Sequence, residues 1–137
     1  MLDHALQSTV TVVLIRCIAL VLAFGATVHI ANIFGFGERP WSDMPLLWRA
    51  MDVVLLLFNV IVGTGLWCKA SWAVIAFIAG IVLLQLMPYT LFRSHFIETA
   101  QHAESLTVMV VFWLVVLTLL IATVLWRGAA QSRISGN

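Results

Sequence analysis

Residues 93–105, RSHFIETAQHAES, collect ionisable side chains in a chain that is 63% hydrophobic and only 9% charged. If residues 94–104 continue as a helix at about 100° per residue, His95, Glu98 and His102 fall within about a 60° arc of one face. Two imidazoles and a carboxylate on one helix face can bind Zn²⁺, Fe²⁺ or Cu²⁺. The favoured interpretation is an amphipathic segment whose polar face meets water, and the alternative is a divalent-metal or haem site at His95, Glu98 and His102.

A second candidate site is centred on His29, which lies in the apolar stretch before residue 34. At 1.5 Å per residue its Cα is expected about 7 Å inside the end of a membrane span, with Asn32 one turn nearer the surface. An imidazole there can hydrogen-bond to a neighbouring helix, ligate haem b or a metal, or donate a proton to a quinone. In the haem interpretation, His95 or His102 would supply the second axial ligand.

Asp52 and Arg49 lie three residues apart on one face of the next apolar stretch. They can neutralise each other near lipid, or Asp52 can serve as an acid–base group in proton handling with His29 as its neighbour. Tyr89 and Arg93, four residues apart, are expected at the same end of the third stretch. The candidate cofactor-binding residues are His29, Asn32, Arg49, Tyr89 and Arg93.

The elements that position these residues are four apolar segments in a chain of mean hydropathy +1.09. The predicted spans are residues 10–34, 46–67, 72–92 and 106–126. Each is longer than the roughly 20 residues that cross a bilayer, and each must be helical because lipid offers no partners for backbone groups. Short connections make neighbouring spans antiparallel, so an all-α, up-down four-helix membrane bundle is predicted, with residues 1–137 as a single domain.

The charges of the connections predict an orientation and exclude one class of partner. Four of the seven Lys and Arg residues lie at the end that carries the termini, and five of the six acids lie at the other end. We therefore expect a multi-pass protein of the cell (inner) membrane with both termini in the cytoplasm. A formal charge of +1 with no basic patch gives no support for nucleic-acid binding. The expected partners are the lipid bilayer and a protein partner or further copies of this chain.

Three sequence features resemble the DoxX-like group of small four-helix membrane proteins. They are Arg16 at the start of the first span, FGATVHIANIFG at its end, and the hairpin LLLFNVIVGTGLWCKASWAVIAFIAGIVLL. The resemblance implies a four-helix membrane fold and, in some members, association with redox complexes. Members of that group often carry Lys near the end of the first span, where this chain has His29 and Asn32.

These observations favour a small membrane subunit or accessory protein of a redox or metal-handling system, whose polar layer contacts a cofactor, a quinone or a partner domain. A stand-alone haem- or metal-binding membrane enzyme is the alternative. A small-solute transporter is a further alternative, and a chain of this size would have to oligomerise to enclose a pathway. Whether the chain is itself an enzyme is left open by the sequence.

Overall fold

The computed structural model describes residues 2–37 and 39–135, and their regular secondary structure is entirely helical. The α-helices are α1 Leu2–Ala5, α2 Thr9–Ile33, α3 Leu46–Trp67, α4 Ser71–Leu91 and α5 Ala100–Ser135. Short 3₁₀ turns at Trp41–Asp43 and Arg93–His95 lie in the connections before α3 and after α4.

Four of these helices are long and apolar enough to cross a membrane: α2, α3, α4 and the Ala100–Trp126 part of α5. The predicted first and third spans agree with α2 and α4 to within one residue at each end, and the second matches α3. The fourth begins six residues earlier than predicted. The all-α class and the four apolar helices are therefore confirmed, whereas the orientation in the membrane stays a prediction.

The four helices close into a bundle because each packs against two others. α2 lies along α3, α3 packs on α4, and α5 contacts both α4 and α2. Every long helix contributes fully buried side chains to one core, among them Ile15, Leu66, Phe77 and Leu120. Lipid is as apolar as such a core, so close packing between the helices, rather than escape from water, holds them together.

The end of α2 is fixed by a left-handed residue just beyond the candidate site. Gly35 has φ +79°, and its N–H donates to the Asn32 carbonyl at 3.0 Å. The Phe36 N–H reaches the Ala31 carbonyl at 2.8 Å, which completes a Schellman motif. Glycine suits this position because it lacks the Cβ that penalises positive φ. The chain thus turns away immediately after Asn32 and leaves that side chain at the end of the bundle.

α4 is not α-helical throughout, since Ile81–Leu86 forms a π-helical segment. Met87 N–H donates to the Val82 carbonyl, five residues back. Pro88 follows, and because proline has no N–H it cannot bond to the Leu84 carbonyl as a regular helix requires. The helix accommodates Pro88 by a wider turn just before it. The segment carries Gln85 on its buried face.

The connection between α4 and α5 does not form the helix through residues 94–104 on which the metal interpretation depended. After the 3₁₀ turn at Arg93–His95 the backbone is irregular, and α5 begins at Ala100. The physical reason is Phe96, which is 2% exposed and inserts its ring against Tyr89 and Trp48. An uninterrupted helix would hold this ring away from that pocket. The Thr99 hydroxyl then caps α5 by accepting the His102 N–H at 3.1 Å.

Candidate functional site

A cavity of about 460 Å³ lies at the end of the bundle where α2 and α4 finish and α3 and α5 begin. All four spans and both long connections contribute to its wall. The polar lining residues on the helices are His29, Asn32, Asp52, Gln85, Tyr89, His102 and Ser105. The apolar lining on the helices comes from Val28, Trp48, Met51, Leu55, Leu106 and Met109.

The polar centre of this cavity is a histidine–carboxylate pair. His29 Nδ1 lies 2.7 Å from Asp52 Oδ1, and Asn32 Nδ2 donates to the same oxygen at 3.2 Å. His29 and Asn32 are about one helical turn apart and lie on the same face of α2. That face packs against α3 at the position of Asp52. Asp52 is only 5% exposed, so its charge is held away from bulk solvent by these two partners. The arrangement fixes the orientation of the imidazole ring.

Two side-chain oxygens in the cavity wall lack a donor from the described residues. They are Asp52 Oδ2 and Gln85 Oε1, and both atoms are buried. A buried acceptor without a partner costs on the order of 1–3 kcal/mol, so such atoms are infrequent in folded proteins. Gln85 owes its position to the π-helical segment of α4, and segments of this kind often occur at functional sites.

Aromatic rings form one side of the cavity. Tyr89 and Trp48, from α4 and α3, pack edge-on to Phe96 at centroid distances of 4.8 and 5.4 Å. The His102 ring of α5 lies 6.1 Å from the Trp48 ring. These contacts tie the connection after α4 to three cavity-lining side chains. The wall on this side is consequently built from planar groups held in fixed relative orientations.

An ion pair crosses the rim of the cavity. Arg39, in the connection before α3, donates through a guanidinium nitrogen to Glu98 Oε2 in the connection after α4. Both residues line the cavity, and their side chains are 41% and 34% exposed. An ion pair as exposed as this contributes little to folding free energy. Its structural effect is to join the two connections that border the same opening.

Two residues predicted for the site lie elsewhere. Arg49 makes no ion pair with Asp52, whose Oδ1 is occupied by His29 and Asn32, and it is not part of the cavity wall. Arg93 turns toward α5, where one guanidinium nitrogen donates to the Ala103 carbonyl and the Thr107 hydroxyl at 2.6 Å each. The Arg49–Asp52 pair, one of the two alternatives for Asp52, is therefore not formed in the described part of the chain, and Arg93 is placed to anchor the start of α5. Cofactor binding by Arg49 and Arg93 stays a prediction.

The predicted metal ligands are separated by the break before α5. His95 is exposed in the 3₁₀ turn, Glu98 pairs with Arg39 at the rim, and His102 lies on α5 in the cavity wall. Within residues 2–37 and 39–135 no group of three His, Cys, Asp or Glu side chains is arranged to hold a metal ion. The shared helix face on which the metal hypothesis depended does not form.

Some cavity residues were missed by sequence reasoning. Gln85 was not among the predicted site residues, and the π-helical turn brings it into the wall beside Tyr89. Its nearest sequence signal was Pro88, three residues later. Trp48, Met51 and Met109 carry no local signal that distinguishes them from other apolar residues of a span.

The helices and the cavity together define a class: an all-helical protein with four helices suited to spanning a membrane and a polar site at one end of the bundle. The chain belongs to a family of unknown function, DUF6163, whose model matches residues 9–129. Comparison with curated proteins and with solved structures gave no match. The resemblance to DoxX-like proteins stays a prediction.

Proposed function

We propose that this protein is a small membrane subunit of a redox system, and that its cavity binds the head group of a quinone-type lipid. The observation that carries the proposal is the His29–Asp52 pair at 2.7 Å in a largely apolar cavity at one end of the bundle. An imidazole oriented by a carboxylate is a common group for hydrogen bonding to, and proton exchange with, a ligand oxygen. In this proposal Asp52 handles protons through His29.

The shape of the cavity supports a ring-shaped head group. A volume of about 460 Å³ falls within the range of small-molecule sites. Trp48 and Tyr89 offer aromatic surfaces, and Met51 and Met109 offer flexible apolar ones that adapt to a substituted ring. The opening lies where the spans end, so a head group can enter while an apolar tail stays in the lipid.

The surroundings of the cavity suggest where the protein works. Large apolar side chains on all four spans are exposed, as expected for surfaces that contact lipid. We place the protein in the cell (inner) membrane with both termini in the cytoplasm, as the distribution of Lys and Arg favours. In this proposal a redox partner protein, or further copies of this chain, would complete the system.

The proposal is tested by binding of decyl-ubiquinone and decyl-ubiquinol to the full chain in lipid nanodiscs, measured by equilibrium dialysis. We expect saturable binding of at least one form that weakens about tenfold or more in His29→Ala, since a buried hydrogen bond to the ligand is lost. His95→Ala is the matched control, because His95 is exposed and lies outside the cavity wall. Absence of saturable binding, or equal loss in both variants, would contradict the proposal.

Haem binding is the second candidate, and one observation favours it: His29 and His102 line the same cavity. A haem iron held by a histidine whose other nitrogen bonds a carboxylate is a familiar arrangement. The absorption spectrum of the purified protein distinguishes the candidates. A Soret band that disappears in His29→Ala would replace the quinone proposal with a cytochrome function.

A further inference from the structure

We infer that the cavity prefers the reduced, hydroxyl-bearing form of the head group to the oxidised form with two carbonyls. This inference rests on the proposed function and deepens it. It follows from the balance of hydrogen-bond donors and acceptors that the protein itself leaves in the cavity wall. A quinol has two O–H donors, whereas a quinone has carbonyl oxygens that only accept.

The first acceptor is the His29 ring nitrogen remote from Asp52. Asp52 Oδ1 receives two contacts, from His29 Nδ1 at 2.7 Å and from the Asn32 amide nitrogen at 3.2 Å. In this inference Asp52 is ionised, and because an ionised carboxylate only accepts hydrogen bonds, the proton of this contact is then on His29 Nδ1. A neutral imidazole with its proton on Nδ1 has a lone pair on Nε2. Within the described part of the chain, no donor is hydrogen-bonded to that lone pair.

The second and third acceptors belong to Asp52 and Gln85. Asp52 Oδ2 and Gln85 Oε1 are buried, receive no hydrogen bond from the described residues, and belong to side chains of the cavity wall. Each of these two residues is 5% exposed. A ligand in the cavity is thus the nearest source of the donors that these oxygens require. A ligand that has hydrogen-bond acceptors but no donors would place its oxygens next to the lone pairs of these protein acceptors. Such a contact is unfavourable in a low-dielectric site.

Two donors of the wall are committed to protein acceptors. The Asn32 amide donates to Asp52, and the Arg39 guanidinium donates to Glu98 at the rim. The Trp48 indole N–H is a further donor in the lining, and the Tyr89 and Ser105 hydroxyls and the Gln85 amide group can each act in both roles. The two buried oxygens that lack a donor, on Asp52 and Gln85, are acceptors, and they match a ligand with hydroxyl donors.

The experiment compares three matched probes with the full chain in nanodiscs under argon: decyl-ubiquinol, decyl-ubiquinone and the bis-methyl ether of the quinol. The ether keeps the ring and the tail but has no O–H group. We expect the quinol to bind at least tenfold more tightly than either other probe, since one well-formed hydrogen bond to a buried acceptor corresponds to about a tenfold difference in affinity.

Two variants connect the preference to the named groups. Asp52→Asn removes the ionised carboxylate that fixes the His29 tautomer, and Gln85→Leu removes the Gln85 acceptor. In each, the quinol-to-ether affinity ratio should fall by about threefold or more, whereas His95→Ala should leave it unchanged. The ratio in the unsubstituted protein is decisive on its own if a variant fails to fold.

The outcomes separate the inference from the function on which it rests. Equal binding of quinol, quinone and ether, or tighter binding of the quinone, overturns the preference and leaves the quinone site intact. Failure of all three probes to bind overturns both. A quinol preference that survives in both variants overturns the assignment to Asp52 and Gln85.

Discussion

His29 and Asp52 are 23 residues apart in the chain, yet Nδ1 of one lies 2.7 Å from Oδ1 of the other across the interface of α2 and α3. The pair joins the end of one span to the beginning of the next. It therefore fixes the relative position of these helices at the cavity, and an ionised Asp52 would also set the tautomer of the imidazole. Most consequences that can be measured for this site follow from that one contact.

Replacement of Asp52 by Asn should remove the preference of the His29 imidazole for one neutral tautomer. Without an ionised acceptor at Oδ1, the proton is no longer held on Nδ1, and both neutral tautomers should be populated. The measurement is the ¹⁵N shift of the His29 ring in labelled protein, which should move from that of a single tautomer to an average. We also expect a loss of about 1–3 kcal/mol in unfolding free energy, because a buried hydrogen-bonded group is disrupted.

Asp43→Asn is the control for this change. Asp43 is exposed in the 3₁₀ turn before α3, where its carboxylate accepts a hydrogen bond from Ser42. The His29 shifts should be the same as in the unsubstituted protein. An unchanged His29 spectrum in Asp52→Asn would mean that Asp52 does not set the tautomer.

Gly80→Ala should destabilise the bundle. A Cβ at Gly80 would lie 2.0 Å from Phe58 Cε2 and 2.6 Å from Cζ, so the ring must move for the helices to keep their separation. Overpacking of this kind costs about 1–3 kcal/mol. Thermal unfolding in detergent measures the loss, and addition of Phe58→Leu should recover part of it. The neighbouring Ala79 is exposed, so Ala79→Leu should have little effect. A neutral Gly80→Ala would contradict the close approach of α3 and α4.

The Arg39–Glu98 pair should control access to the cavity rather than stability. In the test protein, Cys17 and Cys68 are replaced by Ser and Met51 in the cavity wall is replaced by Cys. The rate at which a water-soluble maleimide labels this single thiol measures access to the cavity. Glu98→Arg should accelerate labelling several-fold, because it places two like charges across the rim.

The charge-swapped protein, Arg39→Glu with Glu98→Arg, should return the labelling rate toward its original value. Unfolding temperatures should change little in any of these variants, as expected for an exposed pair. Equal acceleration in the single and swapped proteins would indicate that the side chains, rather than their pairing, restrict access.

The orientation in the membrane is tested with two thiols at opposite ends of the bundle. Cys68 is exposed in the turn between α3 and α4, and Ser94 is exposed in the connection after α4. Two proteins are compared, and both carry Cys17→Ser. In the first, which also carries Cys68→Ser and Ser94→Cys, a membrane-impermeant maleimide applied to intact cells should label the thiol at position 94. In the second, which keeps Cys68, the maleimide should react only after the cells are opened. The reverse pattern would invert the predicted orientation.

The spans could be predicted from the sequence because membrane crossing requires long apolar segments, and their bounds were accurate to one residue for α2, α3 and α4. The grouping of His29, Asn32, Asp52 and Tyr89 at one end followed from their depth in those segments. Depth does not specify which side chains meet, and so Arg49 and His29 were both candidate neighbours of Asp52, of which His29 is the one that contacts it.

The errors arose where tertiary packing overrides local pattern. The polar periodicity of residues 94–104 suited a helix, but burial of Phe96 against Tyr89 and Trp48 breaks it and separates His95 from His102. The π-helical turn could not be predicted from the local sequence either, because it depends on Pro88 together with the packing of α4 against its neighbours. The periodicity of a segment gives no information about its contacts with segments that are distant in the chain.

The π-helical segment Ile81–Leu86 also sets which residue of α4 meets the cavity. Its turn holds one residue more than an α-helical turn, so every residue after it is set back by about 100° relative to an uninterrupted helix. Removal of a single residue between positions 81 and 86 would let regular α-helical turns form there and would leave Tyr89 in the wall. A one-codon deletion can thus abolish the wide turn and still preserve the aromatic side of the cavity.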